Sequence, residues 1–344
     1  MSRMRRVFLS GHVYEFGFRA KEGLPLPTWE LMKLLITSAL ARTQRDDKVT
    51  LCHHMWMGNH VHIIAVLNDA QAAVDFMQEL QKKLTEAIKR LLGKNHLNIW
   101  EGRPMMSVIA DSKKVMDRIA YLYANPASAG LVDAVDEYPG VSSWAEFQGI
   151  SHTIEASSKK VVPWVRQPFI TKLGKHTLSP LEDKTMAASL AQASSKKTHE
   201  LILYPNAWMR TFDITDAKDV EECNRQVHTL IRQKEAEARE LRGKKKVLGA
   251  ERLRRERIFK EHKPKEHREK IFVLSSDIKL RVKFIHYVKV IAEEARGLFE
   301  SWTNGAQVQW PPGVFRPPLR PVANCIQMRE LNDDYALGLA MLIG

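Results

Sequence analysis

Cysteine is scarce in this chain: three in 344 residues, at Cys52, Cys223 and Cys325. Their wide spacing and odd number exclude a disulfide framework and any zinc-ligand pattern, and they fit a reduced compartment. Long apolar runs are also missing. No segment reaches the ~18–20 residues that a membrane span requires. The basic start, Met1-Ser-Arg-Met-Arg-Arg6, leads into an alternating strand-like segment rather than a signal-peptide core, so a cytoplasmic, nucleoid-associated protein is expected. Internal repeats are absent too. There is no shortage of core formers: 44% of the residues are hydrophobic and 8% aromatic, which excludes wholesale disorder. The length is that of about two domains.

Acidic charge is the other deficit. Lys and Arg number 53 against 40 Asp and Glu, a net charge of +13 that favours a polyanionic partner, nucleic acid before membrane. The excess is local. Residues 1–150 carry 18 basic and 16 acidic side chains, residues 151–224 carry 10 and 9, residues 225–290 carry 21 and 9, and residues 291–344 carry 4 and 6. The third block therefore holds +12 of the +13 (21 minus 9). This division predicts a nearly neutral domain over 1–150, a linker and start of the C-terminal region over 151–224, and a basic, mainly helical extension over 225–344 with a Pro-rich tail.

Periodicity in the first part predicts a strand over 7–18 and a helix N-capped by Thr28. A hairpin of strands 49–57 and 60–67 follows, turning at Gly58-Asn59, then an amphipathic helix over 70–92. A strand over 105–110 precedes a helix capped by Asp111 and running to about Asn125. The order β-α-β-β-α-β is that of a ferredoxin-like α+β domain: an antiparallel sheet with helices on one face. Ser/Thr/Lys-rich stretches at 151–160 and 191–199 read as linkers or exposed loops. Beyond them, helices are predicted over 216–241, 247–261 (with Arg252, Arg254, Arg255 and Arg257) and 279–302, the last with an apolar stripe that includes Val282. The prolines of 310–321 demand an extended tail.

Two segments carry chemistry. In Met57-Gly-Asn-His-Val-His62, alternation on a strand puts His60 and His62 on one face, a rigid pair of nitrogen ligands for a divalent metal. Two satisfied histidines at a strand edge give the same pattern, so the pair alone decides nothing. In Tyr121-Leu-Tyr-Ala-Asn125-Pro126, Tyr121 and Asn125 stand four apart and share a helix face, while Tyr123 points elsewhere. Pro126 disfavours helix at Asn125, which sets the pair beside an exit loop. A phenol, with its pKa near ~10, is a poor nucleophile at neutral pH unless a metal polarises its target. A core tyrosine and a helix-ending Asn-Pro is the bland alternative. His53, His54 and Glu101 are weak candidates for a general acid or base.

Together the segments resemble a known family. His60-Val-His62 is similar to the HUH motif of single-tyrosine HUH transposases. The string from Tyr121 to Val132, with Tyr138-Pro and Ser142-Ser-Trp144, resembles the signature of the REP-associated tyrosine transposases, as do Met-x-Asn-His-x-His and Trp100. The resemblance covers residues 1–147. It implies a single-stranded DNA nuclease and strand transferase acting near hairpins through a 5′-phosphotyrosine, with Tyr121 as nucleophile. It also implies Mg²⁺ or Mn²⁺ held by His60, His62 and Asn125. Gly58 stands where the family commonly has proline, and Ala127-Ser128 replace a more usual Val-Arg, which removes a positive charge near the DNA path. In the basic block, Lys244, Lys245, Lys246, Arg252, Arg254 and Arg255 are candidate phosphate contacts, with Trp302 or Trp310 to stack on bases; a solvated face with interleaved glutamates is the alternative. Two other functions suit the same residues: a replication-initiator or relaxase-like nickase, and a domesticated hairpin-DNA- or RNA-binding regulator without cleavage. A homodimer, with Tyr121 acting in cis or in trans, stays open.

Overall fold

The computed structural model describes residues 7–21, 27–44, 49–102, 104–165, 178–256, 272–311 and 313–314. Its elements run β1 (His12–Arg19), α1 (Glu30–Gln44), β2 (Val49–Trp56), β3 (His60–Leu67), α2 (Ala70–Leu91), β4 (Met105–Ile109), α3 (Ser112–Ser128), α4 (Trp144–Gln148), β5 (Ser158–Pro163), α5 (Pro180–Ala193), β6 (Thr198–Leu203), α6 (Ala217–Arg242), α7 (Ala250–Arg255), β7 (Val273–Leu274) and α8 (Ile278–Thr303). The fold is α+β. β2, β3, β1 and β4 form an antiparallel sheet in that order, and β7 adds parallel to β4 at the edge. The strand order and the two helices α1 and α2 are those of the split β-α-β arrangement.

Period-2 alternation sorts the side chains onto two faces. Tyr14, Phe16, Phe18, Ile63 and Ala65 pack with Leu31, Leu35, Leu80 and Leu84 of α1 and α2. Val13, Ile64 and Ile109 pack instead with Ile119, Leu122 and Tyr123 of α3 and with Val220, Val227 and Ile231 of α6. Helices α1 and α2 thus share one face, as the split arrangement predicts, and α3 and α6 cover the other. β3 is buried on each side, as its near-continuous apolar run requires.

Several boundaries differ from those read in the sequence. Regular strand pairing begins at His12, after a turn at Gly11 with φ +73°, and Val7 makes only an isolated bridge to Val314. Thr28 is not an N-cap; its hydroxyl donates to the Leu253 carbonyl at 2.9 Å. The first turn of α1 is capped from α5, by the Asp183 carboxylate, which accepts from the Glu30 and Leu31 amides at 2.7 and 3.0 Å. α3 continues through Pro126 to Ser128. It ends in a Schellman turn, with Leu131 N–H donating to the Pro126 carbonyl, Gly130 N–H to that of Ala127, and Gly130 at φ +66°. The Ser/Thr/Lys-rich stretches are mostly exposed loop, at 151–157 and 194–197, but their ends enter the antiparallel ribbon β5–β6, whose Val162, Leu201 and Leu203 are buried against α1. In the extension, α7 is six residues long, and residues 257–261, expected to continue it, lie outside the described residues, as do Cys325 and 315–321 of the tail. Val282 of α8 is exposed rather than part of an apolar stripe. Among the described residues no helix is long and apolar enough to cross a membrane.

β2 carries two fully buried histidines. His53 Nδ1 meets the Tyr123 hydroxyl at 2.9 Å and Nε2 the Pro205 carbonyl at 3.0 Å, whereas neither ring nitrogen of His54 has a hydrogen-bond partner. Burial pulls both pKa values down to about 3, against a weaker upward pull on His53 from the Pro205 carbonyl. Since both folded-state values lie below the ordinary 6.5, the unfolded chain takes up protons first on acidification. Stability is thus full above pH ~6.5 and falls toward pH ~3, by up to about 1.4 kcal/mol per pH unit for each histidine. Urea unfolding at pH 7, 6 and 5 is expected to show this loss, with His54→Leu removing about half of the slope. A midpoint that does not move with pH would contradict it. Asp183→Ala is expected to cost about 1–2 kcal/mol in the same assay through loss of the α1 cap.

Candidate active site

The site lies where β3 leaves its turn and meets the middle of α3. His60 and His62 share the α3 face of the strand, with ring centroids 5.1 Å apart and planes at 89°. Asn125, 8% exposed, projects from α3 with its amide nitrogen 3.4 Å from His60 Nε2. Tyr121, one turn earlier, is 38% exposed, and its ring lies edge-on to His62 with centroids 5.7 Å apart. The fold therefore brings together His60, His62, Asn125 and Tyr121, which are up to 65 residues apart in the chain. Helical spacing aligns the last two.

Two further residues, which the sequence reading did not single out, organise this group. Glu15 of β1 is 1% exposed and lies under the site. It accepts from His62 Nδ1 at 2.8 Å and, in a fork, from Arg118 Nε and Nη2 at 2.6 and 2.7 Å. Burial alone would raise its pKa, but the hydrogen bonds and charges of His62 and Arg118 prevail and hold it down at about 2. An ionised carboxylate can only accept, so Nδ1 of His62 carries a proton, and in the neutral form of the ring Nε2 is the nitrogen with the free lone pair. Asn59 Oδ1, 2.6 Å from His60 Nδ1, fixes the other ring the same way. Arg118, clamped by Glu15, lies over the Tyr121 ring with its guanidinium carbon 4.2 Å from the centroid, a cation–π contact. A carboxylate amid the apolar strand Val13-Tyr-Glu-Phe16, and an arginine one turn before Tyr121, were the available signals.

Two imidazole nitrogens with fixed tautomers beside a carboxamide form a plausible donor set for one divalent cation, with room left for oxygen ligands. Asn125, which the resemblance implies as a third donor, lies beside the pair; among the described residues no group of three or more His, Cys, Asp or Glu side chains forms a metal site. The three weak acid–base candidates fare differently. His53 is engaged at both nitrogens by Tyr123 and Pro205, and His54 lies on the α1–α2 face of the sheet, paired with Ile63. Glu101 pairs through its backbone with Arg19. Tyr123 is fully buried between His53 and Ser143, which raises its pKa well above the ordinary phenol value.

No family model matches the chain. A protein of Haemophilus influenzae described as a REP-associated tyrosine transposase is 24% identical over 155 residues, covering 40% of this chain and 84% of that protein. Over that stretch the chain is similar to a REP-associated tyrosine transposase, in line with the resemblance carried by its motifs. A solved structure of a REP-associated tyrosine transposase bound to a REP hairpin aligns at 22% identity and a TM-score of 0.37, covering 43% of this chain and 86% of that one.

The rest of the chain lies beyond what this transposase relative covers, and its basic residues divide into two sets. Along α6, Arg232 pairs with Asp136 at 2.7 Å, Lys234 with Asp117 at 2.8 Å, and Arg239 and Arg242 with Asp133. These cations hold α6 to α3 and the loop after it. Lys244, Lys245, Lys246 and Arg254 are exposed. Arg252 and Arg255, also exposed, make long intrahelical ion pairs with Glu256 and Glu251 at 3.3 and 3.7 Å. Leu248 and Gly249 donate to the carbonyls of Gly130 and Leu131, which ties the lysine turn to the exit of the Tyr121 helix. Trp302 and Trp310 meet each other, centroids 6.4 Å apart.

Breaking one side of a buried pair strands the other charge, at about 3–5 kcal/mol, whereas replacing both costs less. Glu15→Leu and Arg118→Leu are therefore each expected to lose about 3 kcal/mol in urea unfolding, and the double variant less than the two losses added. Strict additivity would show that the fork contributes no coupling.

Proposed function

We propose that this chain is a metal-dependent single-stranded DNA endonuclease and strand transferase that cuts beside hairpins, with Tyr121 as its nucleophile. The observation that carries the reading is the convergence of His60, His62 and Asn125 around a half-exposed Tyr121 on adjoining faces of β3 and α3. The hairpin partner is supported by the likeness to a REP-associated tyrosine transposase. In this reading His60 Nε2, His62 Nε2 and the Asn125 side-chain amide would hold Mg²⁺ or Mn²⁺, which would supply Lewis acidity to the scissile phosphate.

The chain's own groups do the rest. The Tyr121 oxygen attacks phosphorus and loses its proton to solvent; the bond to the 3′ oxygen breaks, and that oxygen takes up a proton. The products are a 5′-phosphotyrosine and a free 3′-hydroxyl. The phosphodiester is conserved in energy, so a second 3′-hydroxyl can reverse the step and join strands without ATP. Arg118, held by Glu15, limits the rotation of the Tyr121 ring and sets a fixed positive charge beside the phosphate. Glu15 orients His62, a role whose loss lowers metal affinity by roughly 10–100-fold where it has been examined in metal sites.

The flanks of the coding region are searched for inverted repeats, and single-stranded hairpins of REP type serve as the test DNA. Labelled and incubated with Mn²⁺, they are expected to give a covalent protein–DNA adduct with the wild-type chain, none with Tyr121→Phe, and none in EDTA until Mn²⁺ is restored. An adduct that persists in Tyr121→Phe, or its absence from the wild type, would overturn the assignment; hairpin binding without cleavage would favour a regulator.

A further inference from the structure

Tyr121 has a second neighbourhood. On the side away from His62, α3 and α6 enclose a groove of about 450 Å³ that runs from Tyr121 to Arg242. Its α3 wall has no side chain longer than serine after Tyr121, being made of Ala124, Ala127, Ser128 and Ala129 with Gly130 at the end. Its α6 wall combines Ala238 with Lys234, Glu237, Leu241 and Arg242. The volume is within the range of small-molecule sites.

The chemistry of the lining narrows the occupant. Leu241, at the groove, is 89% exposed, an apolar surface left uncovered by the described residues. Glu237 is exposed and makes no ion pair among the described residues, so its carboxylate repels a phosphate lodged here and attracts a hydrogen-bond donor. Cations cluster at the far end. Arg242 gives Nη2 to Asp133 and Nε to the Lys245 carbonyl, while its buried Nη1 has no partner. The exposed Lys244–Lys246 turn follows it directly. A slot with short side chains on one wall, one acceptor and a cationic exit suits a flat heterocycle whose sugar-phosphate chain leaves along the lysines.

We propose that this groove is a base-binding subsite for single-stranded DNA. It takes the unstacked base of a nucleotide next to the phosphate at Tyr121, and Glu237 favours bases that carry an amino donor. The inference rests on Tyr121 as the reacting residue and adds to it the substrate's conformation and a base preference. A base that is already single-stranded has only its stacking to give up, which makes such a site compatible with the substrate class. A carboxylate accepts from the cytosine amino group, whereas the one base donor of thymine, N3–H, lies between two carbonyl oxygens that repel a carboxylate.

The test uses the full-length protein in EDTA and four fluorescent 8-mers of equal charge: dC8, dA8, dT8 and an abasic 8-mer, with affinities from anisotropy. Because the phosphates are the same, differences report the bases. The wild type is expected to bind dC8 and dA8 at least ~10-fold more tightly than dT8, with the abasic strand weakest. Glu237→Gln is expected to bring dC8 and dT8 within ~3-fold of each other, and Ala238→Leu, which fills the groove from an α6 position, to bind all four alike. Equal affinities of the wild type for dC8, dT8 and the abasic strand, or unchanged discrimination in Ala238→Leu, would overturn the subsite. Circular dichroism and unfolding midpoints verify that both variants fold. Adduct formation with hairpin DNA is scored separately. Base discrimination without an adduct would sink the nuclease reading and leave the groove as a base-binding site, and an adduct without discrimination would do the reverse.

Discussion

A single buried carboxylate ties the candidate site to the fold. Glu15 sits within the apolar strand β1, almost without solvent, and its two oxygens are shared between a histidine of β3 and an arginine of α3. An uncompensated charge at that depth is untenable, so the carboxylate requires both partners. Those partners are the residues that set the His62 ring and hold a cation over Tyr121. The electrostatic need of one group thus fixes the relative placement of three elements. The geometry of the site follows from it.

A second layer of constraint comes from the other face of α3. α6 closes over it with apolar contacts from Val220, Val227 and Ile231, flanked by ion pairs to Asp117, Asp133 and Asp136. Glu235 adds a buried carboxylate that accepts from the Val135 amide at 2.7 Å. The positive block of the sequence is therefore partly an internal fastening, used against acids of the first 150 residues, and partly an exposed basic turn. Hydrogen bonds from Leu248 and Gly249 to the end of α3 keep that turn beside the helix that carries Tyr121. The same closure creates the groove next to Tyr121, a feature that the first 150 residues alone do not possess.

Much of the fold was legible because its signals are local. Alternation in β3 and three- and four-residue spacing in α2 and α3 follow from backbone geometry, and Asp111 and Asp69 cap the helices that follow them. The errors arose where distant residues decided. Thr28 looks like a cap, yet α1 takes its cap from Asp183, 153 residues away. Pro126 reads as a stop, yet Gly130, four residues later, provides a Schellman ending that lets the helix pass through Pro126. The polar stretches 151–160 and 191–199 read as linkers or exposed loops, and it is the pairing of their ends and the packing of Val162, Leu201 and Leu203 on α1 that make a ribbon there.

His60, His62, Tyr121 and Asn125 were identifiable from the chain itself, because strand and helix periodicity set each pair on one face before any tertiary contact forms. The family resemblance then linked the pairs. What the sequence could not supply was the carboxylate that orients them, the arginine above the tyrosine, and the groove beside it. Glu15 and Arg118 are 103 positions apart, and Tyr121 and Arg242 are further still. Such relations arise only when the sheet and its two helical layers close, since burial, and the demand that buried charges be paired, exists only in the folded state.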